Sequence, residues 1–405
     1  MTERLYYTDC YRTAFEGTVT SCTTHDGRIE VTLDRTAFYP TSGGQPFDVG
    51  ILAGSRVQEV FDRDDGQIVH VVDHPLQPGM LVEGRVDWTR RFDHMQQHTG
   101  QHVLSAAFDR LFGIRTESFH LGSAASTIDL SREVTPEQIR AAEDEANRVV
   151  WEDRPVHIRF ATPEEAASLP LRKEPVRAGP LRLIEIEGVD LSACGGTHVA
   201  RTGAIGIIAI AGVERVRRGT RVEFLCGGRA LDRFRSWRDA LAKVTRYLSV
   251  APSDLAAGIE KLQHENKALQ RALRERQEAL AAHEAAALVA RAERWGERLV
   301  LAQALEGWGA DGLKALVSAA THREARLAVA LIDPSAARLV VVAAGAASGV
   351  DASAVIRSLT ARFGGRGGGR RDLAQGGGLT GGLDEMIAEA RRLLAGEEAI
   401  SVAPS

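Results

Sequence analysis

Two short segments carry residues suited to holding a metal ion. His98-Thr99-Gly100-Gln101-His102 sets two imidazoles four residues apart, and on a helix that spacing puts both on one face. Cys194-Gly195-Gly196-Thr197-His198 offers a thiolate and a third imidazole across two glycines, which let the backbone fold back so that both side chains turn inward. Three imidazoles and one thiolate suit a tetrahedral zinc ion of borderline softness. The pair of histidines lacks the glutamate of a His-Glu-x-x-His protease, because Thr99 stands in its place, so that protease class is excluded.

The elements that must position these residues are legible in outline. The first ninety residues are β-rich: Arg28–Leu33 and 67–72 concentrate β-branched residues between Asp and Gly turns, which predicts a small barrel or sandwich. From Trp88 the pattern becomes helical, with Val103, Leu104, Ala107, Phe108 and Leu111 on one stripe. A strand is expected over Ser126–Leu130 and a helix over residues 135–151, with Thr135 as cap and Pro136 in the first turn. Leu255, Ile259, Leu262, Asn266, Leu269, Leu273, Arg276, Leu280, His283 and Ala287 then recur at spacings of four and three. This heptad register predicts one long helix, either a seam between two copies or half of an intramolecular hairpin. Beyond it, strands over 326–332 and 338–344 and a helix over Ala352–Phe363 describe a compact α/β unit.

Composition narrows the function classes. The chain has 405 residues, 44% hydrophobic and 26% charged, with a net charge of −4. These are the proportions of a globular protein of several domains. No apolar run reaches the length of a membrane span, and the N-terminal residues show no signal pattern, which sets the cytoplasm as the expected location. Cys10, Cys22, Cys194 and Cys226 stand far apart, so a disulfide framework is not expected; Cys10 and Cys226 read as core residues. Charge is uneven: 214–246 holds ten basic and four acidic residues, among them Arg215, Arg217 and Arg218, a face able to meet phosphates. Residues 364–378 contain eight glycines in fifteen. That density opposes a strand or helix on entropic grounds and suits a linker or a backbone that comes close to something. The interleaved Arg366, Arg370 and Arg371 favour an anionic partner.

The metal motifs resemble the editing domain of alanyl-tRNA synthetase and its free-standing relatives, the AlaX proteins. Phe38-Tyr39-Pro40-Thr41-Ser42-Gly43-Gly44-Gln45 resembles the glycine-rich motif of that family's β-domain, and Gly367–Gly378 resembles part of the DHHA1 domain that ends the synthetase. The resemblance is to the long AlaX type, with no aminoacylation domain. It implies an α+β multidomain chain: a small N-terminal β-barrel-like domain (1–90), an α+β zinc editing domain (91–247), a long helical segment (248–298) and an α/β DHHA1-like domain (299–405).

The function implied is trans hydrolysis of serine or glycine from mischarged alanine tRNA, with one zinc held by His98, His102, Cys194 and His198. Alanine is hard to select by pocket size, since serine only adds a hydroxyl and glycine only lacks a methyl. A polar group bonded to the serine hydroxyl would be left unpaired by alanine, at about 1–3 kcal/mol. Thr99 and Gln101 are the nearest candidates for that group. His120 lies near where the family places a polar pocket residue. Arg215, Arg217, Arg218, Arg366, Arg370 and Arg371 are candidates for tRNA contact, and a homodimer through the helical segment or the C-terminal domain is a further expectation. The rival reading is a tRNA-binding adaptor whose zinc is purely structural.

Overall fold

In the computed structural model, residues 1–172, 181–217, 219–335 and 338–396 are described. The chain divides into two compact units, Met1–Val244 and Thr245–Ser405.

The first unit opens with β1 (Glu3–Arg4), β2 (Ala14–His25), β3 (Arg28–Leu33), β4 (Arg35–Thr36), β5 (Gly50–Leu52), β6 (Ser55–Asp62), β7 (Ile68–Val72) and β8 (Leu81–Val86). Six of them close into a barrel in the order β2-β3-β7-β6-β5-β8. Strict alternation drives this closure: along β8 every second residue is buried, so one face turns inward onto Phe15, Val31, Leu52 and Ile68. Gly84 sits in that row because a Cβ there would lie 2.4 Å from the Phe15 ring.

Helix α1 (Trp88–Phe112) follows directly. Asp87 caps its start by accepting from Arg90 N–H, and Gly113 ends it in the left-handed region at φ 63°. Nearly every residue from Met95 to Phe108 is buried, so α1 forms the spine of the unit. Around it lie β9 (Thr116–Leu121), β10 (Ser126–Leu130), α2 (Pro136–Trp151), β11 (Val156–Ala161), α3 (Pro163–Ala167), β12 (Leu181–Ile186), β13 (Asp190–Ala193), β14 (Ile208–Val216) and β15 (Gly219–Cys226). The strands form two antiparallel sheets, β14-β15-β10-β9 and β11-β12-β13. Thr135 and Gln138 close a capping box on α2 with Pro136 in its first turn. Met95, Leu104, Phe108, Ile128, Val150 and Phe224 meet in one core, and Cys226 is buried beside α1, where a side chain at Gly100 would strike its sulfur. α4 (Gly228–Leu248) follows β15.

The second unit contains α5 (Leu255–Arg291), β16 (Glu293–Trp295), β17 (Arg298–Ala304), α6 (Gly309–Arg323), β18 (Leu327–Asp333), β19 (Leu339–Ala344), α7 (Ala352–Phe363), β20 (Arg366–Gly369), β21 (Leu373–Gly377) and α8 (Leu383–Ala395). Its six-stranded sheet runs β16-β17-β18-β19-β21-β20. β18 is buried on both faces: Leu327, Val329 and Leu331 face α5 and α6, while Ala328, Ala330 and Ile332 face α7 and α8. Only the last turns of α5, at Ala281, Ala285 and Leu288, join this core; Ile259, Leu262, Leu269 and Leu273 stand exposed.

The glycine-rich run corrects the expectation that it forms no strand. It folds as the hairpin β20–β21 at the sheet edge. Glycine is required there by contact: a Cβ at Gly367 would lie 2.6 Å from the Gln375 carbonyl oxygen and 2.7 Å from Ile356 of α7. The entropic cost of ordering glycine is offset by a backbone that lies directly against its neighbours.

Candidate metal centre and adjoining cavity

Each of the four metal-ligand candidates is delivered by a different constraint. His98 and His102 sit one turn apart within the buried stretch of α1. Cys194 continues the ladder of β13, its N–H donating to Arg182 O at 3.0 Å, and His198 lies just beyond the double glycine. The four donor atoms all fall within 4.8 Å of one another. Cys194 Sγ is 3.4 Å from His98 Nε2 and 3.3 Å from His198 Nε2. A tetrahedral zinc with its usual bond lengths would set sulfur and nitrogen about 3.6 Å apart, so the spacing fits such an ion.

The tautomers fit as well. His98 Nδ1 lies 2.8 Å from Gln45 Oε1, His102 Nδ1 lies 2.7 Å from Asp190 Oδ2 and His198 Nδ1 lies 3.2 Å from Thr99 Oγ1. With every Nδ1 held by an oxygen, every Nε2 faces the sulfur, the arrangement outer partners impose on metal-binding histidines. Gly196 completes the cradle, since a Cβ there would lie 2.1 Å from His98 Cε1. Arg182 clamps the loop by donating to Cys194 O at 2.7 Å, Gly196 O at 2.9 Å and Tyr7 O at 2.9 Å.

Electrostatics favour a thiolate. Burial would raise the Cys194 thiol, but His98, His198 and His102 around it hold it well below the ordinary thiol range. Burial pushes His198 down to about 3 despite the neighbouring sulfur. For His102 burial also acts downward, yet the bonds to Asp190 and Cys194 outweigh it and lift the ring to about 9. Asp190, buried, is held at about 2 by His102 and Arg172.

Beside the cluster opens a cavity of about 500 Å³, lined among others by Tyr7, Gln101, Phe119, Phe160 and Leu181. Gln101 reaches it; its Nε2 donates to Ser105 Oγ at 2.8 Å, while its Oε1 is buried with no partner among the described residues. Thr99 does not line the cavity: it is fully buried and accepts from Val199 N–H at 3.1 Å as well as meeting His198. His120 is exposed on β9 and also lies outside the cavity lining. Arg215 is exposed and paired with Glu133; with Arg217 and Arg132 it borders a surface cleft of about 500 Å³. Arg218 lies outside the described residues. Arg366, Arg370 and Arg371 are exposed in the second unit, with Arg370 3.2 Å from Asp372. Cys10 is buried and accepts from His198 N–H at 3.5 Å.

Three functional positions escaped the sequence reading: Gln45, Asp190 and Arg182. Asp190 had a signal, because Asp190, Ser192 and Cys194 alternate and so share a strand face. Gln45 and Arg182 had none beyond the glycine-rich motif that contains the former.

Comparison with known proteins supplies the family. The alanyl-tRNA editing protein Aarsd1-B of Xenopus laevis is 37% identical over 280 residues, covering 65% of this chain and 68% of that protein. The chain belongs to the alanyl-tRNA editing protein family. Within this editing protein, residues 5–90 match the class II (A) tRNA synthetase family, 181–222 the second additional domain of threonyl and alanyl tRNA synthetases, and 297–396 the DHHA1 domain. The alanine–tRNA ligase of Pyrococcus abyssi is 34% identical over 394 residues, which are 93% of this editing protein and 42% of the ligase. Among solved structures, the C-Ala domain of Aquifex aeolicus alanyl-tRNA synthetase matches at 24% identity and a TM-score of 0.24, over 26% of this chain and 98% of that one.

Proposed function

We propose that this editing protein removes serine, and with lower preference glycine, from mischarged alanine tRNA in trans, using one zinc ion per chain held by His98, His102, Cys194 and His198. Its family makes it a hydrolase acting on the ester of mischarged tRNA; the substrate order, the metal and the residue roles are the proposal. The observation that carries it is a cavity lined by His98, His102 and Cys194 of the cluster and by Gln101, whose Oε1 is buried beside it without a partner among the described residues.

A zinc ion in that cage would supply a fixed positive charge beside the ester. Four protein donors fill a tetrahedral shell, so orientation of the ester is the role we assign to the centre. The chain's own residues do the sorting. Ser105 accepts from Gln101 Nε2 and, at 2.8 Å, from Thr116 Oγ1, which pins one end of the amide and leaves the other, the buried Oε1, without a donor among the described residues. A serine hydroxyl donates to that end; glycine and alanine leave it unpaired, at about 1–3 kcal/mol or roughly five- to 150-fold.

In this reading residues 91–247 carry the hydrolytic site on the 1–90 barrel, while 299–405 form the DHHA1-like domain and Arg366, Arg370 and Arg371 meet tRNA phosphates together with Arg215, Arg217 and Arg218. Such contacts give affinity without reading sequence. The exposed stripe Ile259, Leu262, Leu269 and Leu273 within the 248–298 segment would pair two copies of the chain. No helix among the described residues is long and apolar enough to cross a membrane, and the proposed place of work is the cytoplasm, where charged tRNA is found.

The test is a panel of alanine tRNAs charged with serine, glycine or alanine, and other tRNAs correctly charged, incubated with the full chain. Serine should leave its tRNA at least about fivefold faster than alanine, and Gln101→Leu should erase that ratio. No hydrolysis above the buffer rate, or equal rates across the panel, would overturn the reading.

A further inference from the structure

The cavity is much larger than the side chain it sorts. Its volume of about 500 Å³ lies within the ~300–1,000 Å³ typical of sites for whole small molecules. A hydroxymethyl group displaces roughly two waters, ~60 Å³. Most of the space must therefore receive the part of the substrate that carries the amino acid, and in any aminoacyl-tRNA that part is the 3′-terminal adenosine.

Strand register indicates which wall takes the base. Phe160 on β11 pairs with Arg182 on β12, and Arg182 O accepts from Cys194 N–H. Phe160, Arg182 and Cys194 thus form one row across three strands. At about 4.8 Å per strand, the Phe160 backbone lies roughly 10 Å from that of Cys194. Arg182 is buried and donates to Tyr7, Cys194 and Gly196 carbonyls, which leaves its neighbour in the row as the side chain free to meet a ligand. The rest of that face packs inward: Ile184 and Ile186 are fully buried, whereas Phe160 is 56% exposed while lining the cavity. A phenyl ring held in water on the wall of a substrate cavity, two strands across from the metal-site loop, is suited to stacking against a flat heteroaromatic base.

We propose that Phe160 is the platform on which the terminal adenine stacks, and so a positioning residue that sets the ester over the metal cluster. The inference rests on the editing reading above. It explains how one cavity treats the amino acid and its carrier separately: Gln101 reads the side chain, Phe160 holds the base that every charged tRNA presents. Loss of the ring therefore weakens all substrates alike and leaves the serine-to-alanine ratio intact.

The experiment uses the full chain and two non-hydrolysable probes, 3′-serylamido-3′-deoxyadenosine and its abasic counterpart, with affinities measured calorimetrically for wild type, Phe160→Ala and Phe160→Tyr. The wild type should prefer the adenine probe by about tenfold or more, Phe160→Ala should remove that preference, and Phe160→Tyr should retain it. Zinc content and thermal midpoint, unchanged in both variants because the ring is exposed, exclude a folding defect. An adenine preference that survives in Phe160→Ala overturns the assignment of Phe160. Failure of the wild type to bind either probe or to hydrolyse serine-charged tRNA would instead count against the editing reading on which it stands.

Discussion

Replacing Gln45 by methionine keeps the bulk of the side chain and deletes its hydrogen bonds. Gln45 is fully buried; its Oε1 meets His98 Nδ1 at 2.8 Å and accepts from Thr197 N–H at 3.0 Å, and its Nε2 donates to Thr197 Oγ1 at 2.8 Å. The variant strands three buried polar groups, each at about 1–3 kcal/mol, so the fold should lose at least about 3 kcal/mol. It also frees the His98 ring to adopt the other tautomer, and loss of such an outer partner costs 10- to 100-fold in metal affinity. Urea unfolding at fixed zinc, together with competition against a chromophoric chelator, reads both quantities. A variant within 0.5 kcal/mol of wild type and within threefold in zinc affinity would show that the barrel does not support the metal centre, and the reasoning from Gln45 would be refuted.

Three other outcomes are expected. Gly196→Ala should carry well under one zinc per chain by elemental analysis, because its Cβ would lie 2.1 Å from His98 Cε1, while Gly195→Ala, whose Cβ meets Tyr7 Oη at an ordinary 3.4 Å, should keep the metal; equal zinc in both would contradict the cradle. Burial depresses His70 in the barrel from 6.5 to about 4, so the unfolded chain binds its proton first: stability is complete above pH 6.5, falls by about 2 kcal/mol at pH 5 and by about 3 kcal/mol near pH 4. His70→Gln should flatten that loss in denaturant titrations, and an unchanged pH slope would speak against it. Arg217→Ala should weaken binding of all tRNAs to a similar degree and lower the slope of log affinity against log salt by about one; a change confined to one tRNA, or none, would exclude a phosphate contact.

How far the sequence could be read depended on the range of each interaction. The two histidines of α1 and the Cys194–His198 pair were legible because each pair is local, one fixed by the helical turn and the other by a double glycine. Capping by Thr135 and Pro136 was legible for the same reason, and α2 begins at Pro136. The contacts that finish the centre are not local: Gln45 reaches His98 across 53 residues and Thr197 across 152, and a glutamine in a turn carries no mark of such a partner. Thr99 illustrates the opposite difficulty. Its neighbours in the chain are metal-ligand candidates, yet helical geometry turns its hydroxyl to His198 and Val199 instead of the cavity. The glycine run misled because entropic cost was weighed without the close approach of α7 and β21 that only glycine permits.

The most direct measurement is single-turnover deacylation of serine-charged alanine tRNA by excess full-length protein, run in parallel with Cys194→Ala of verified fold. The expected result is release of serine far above the buffer rate by the wild type and at least a hundredfold slower release by the variant, with zinc lost in step. Equal rates from the two proteins, or a wild type indistinguishable from buffer, would contradict a hydrolytic centre built on His98, His102, Cys194 and His198.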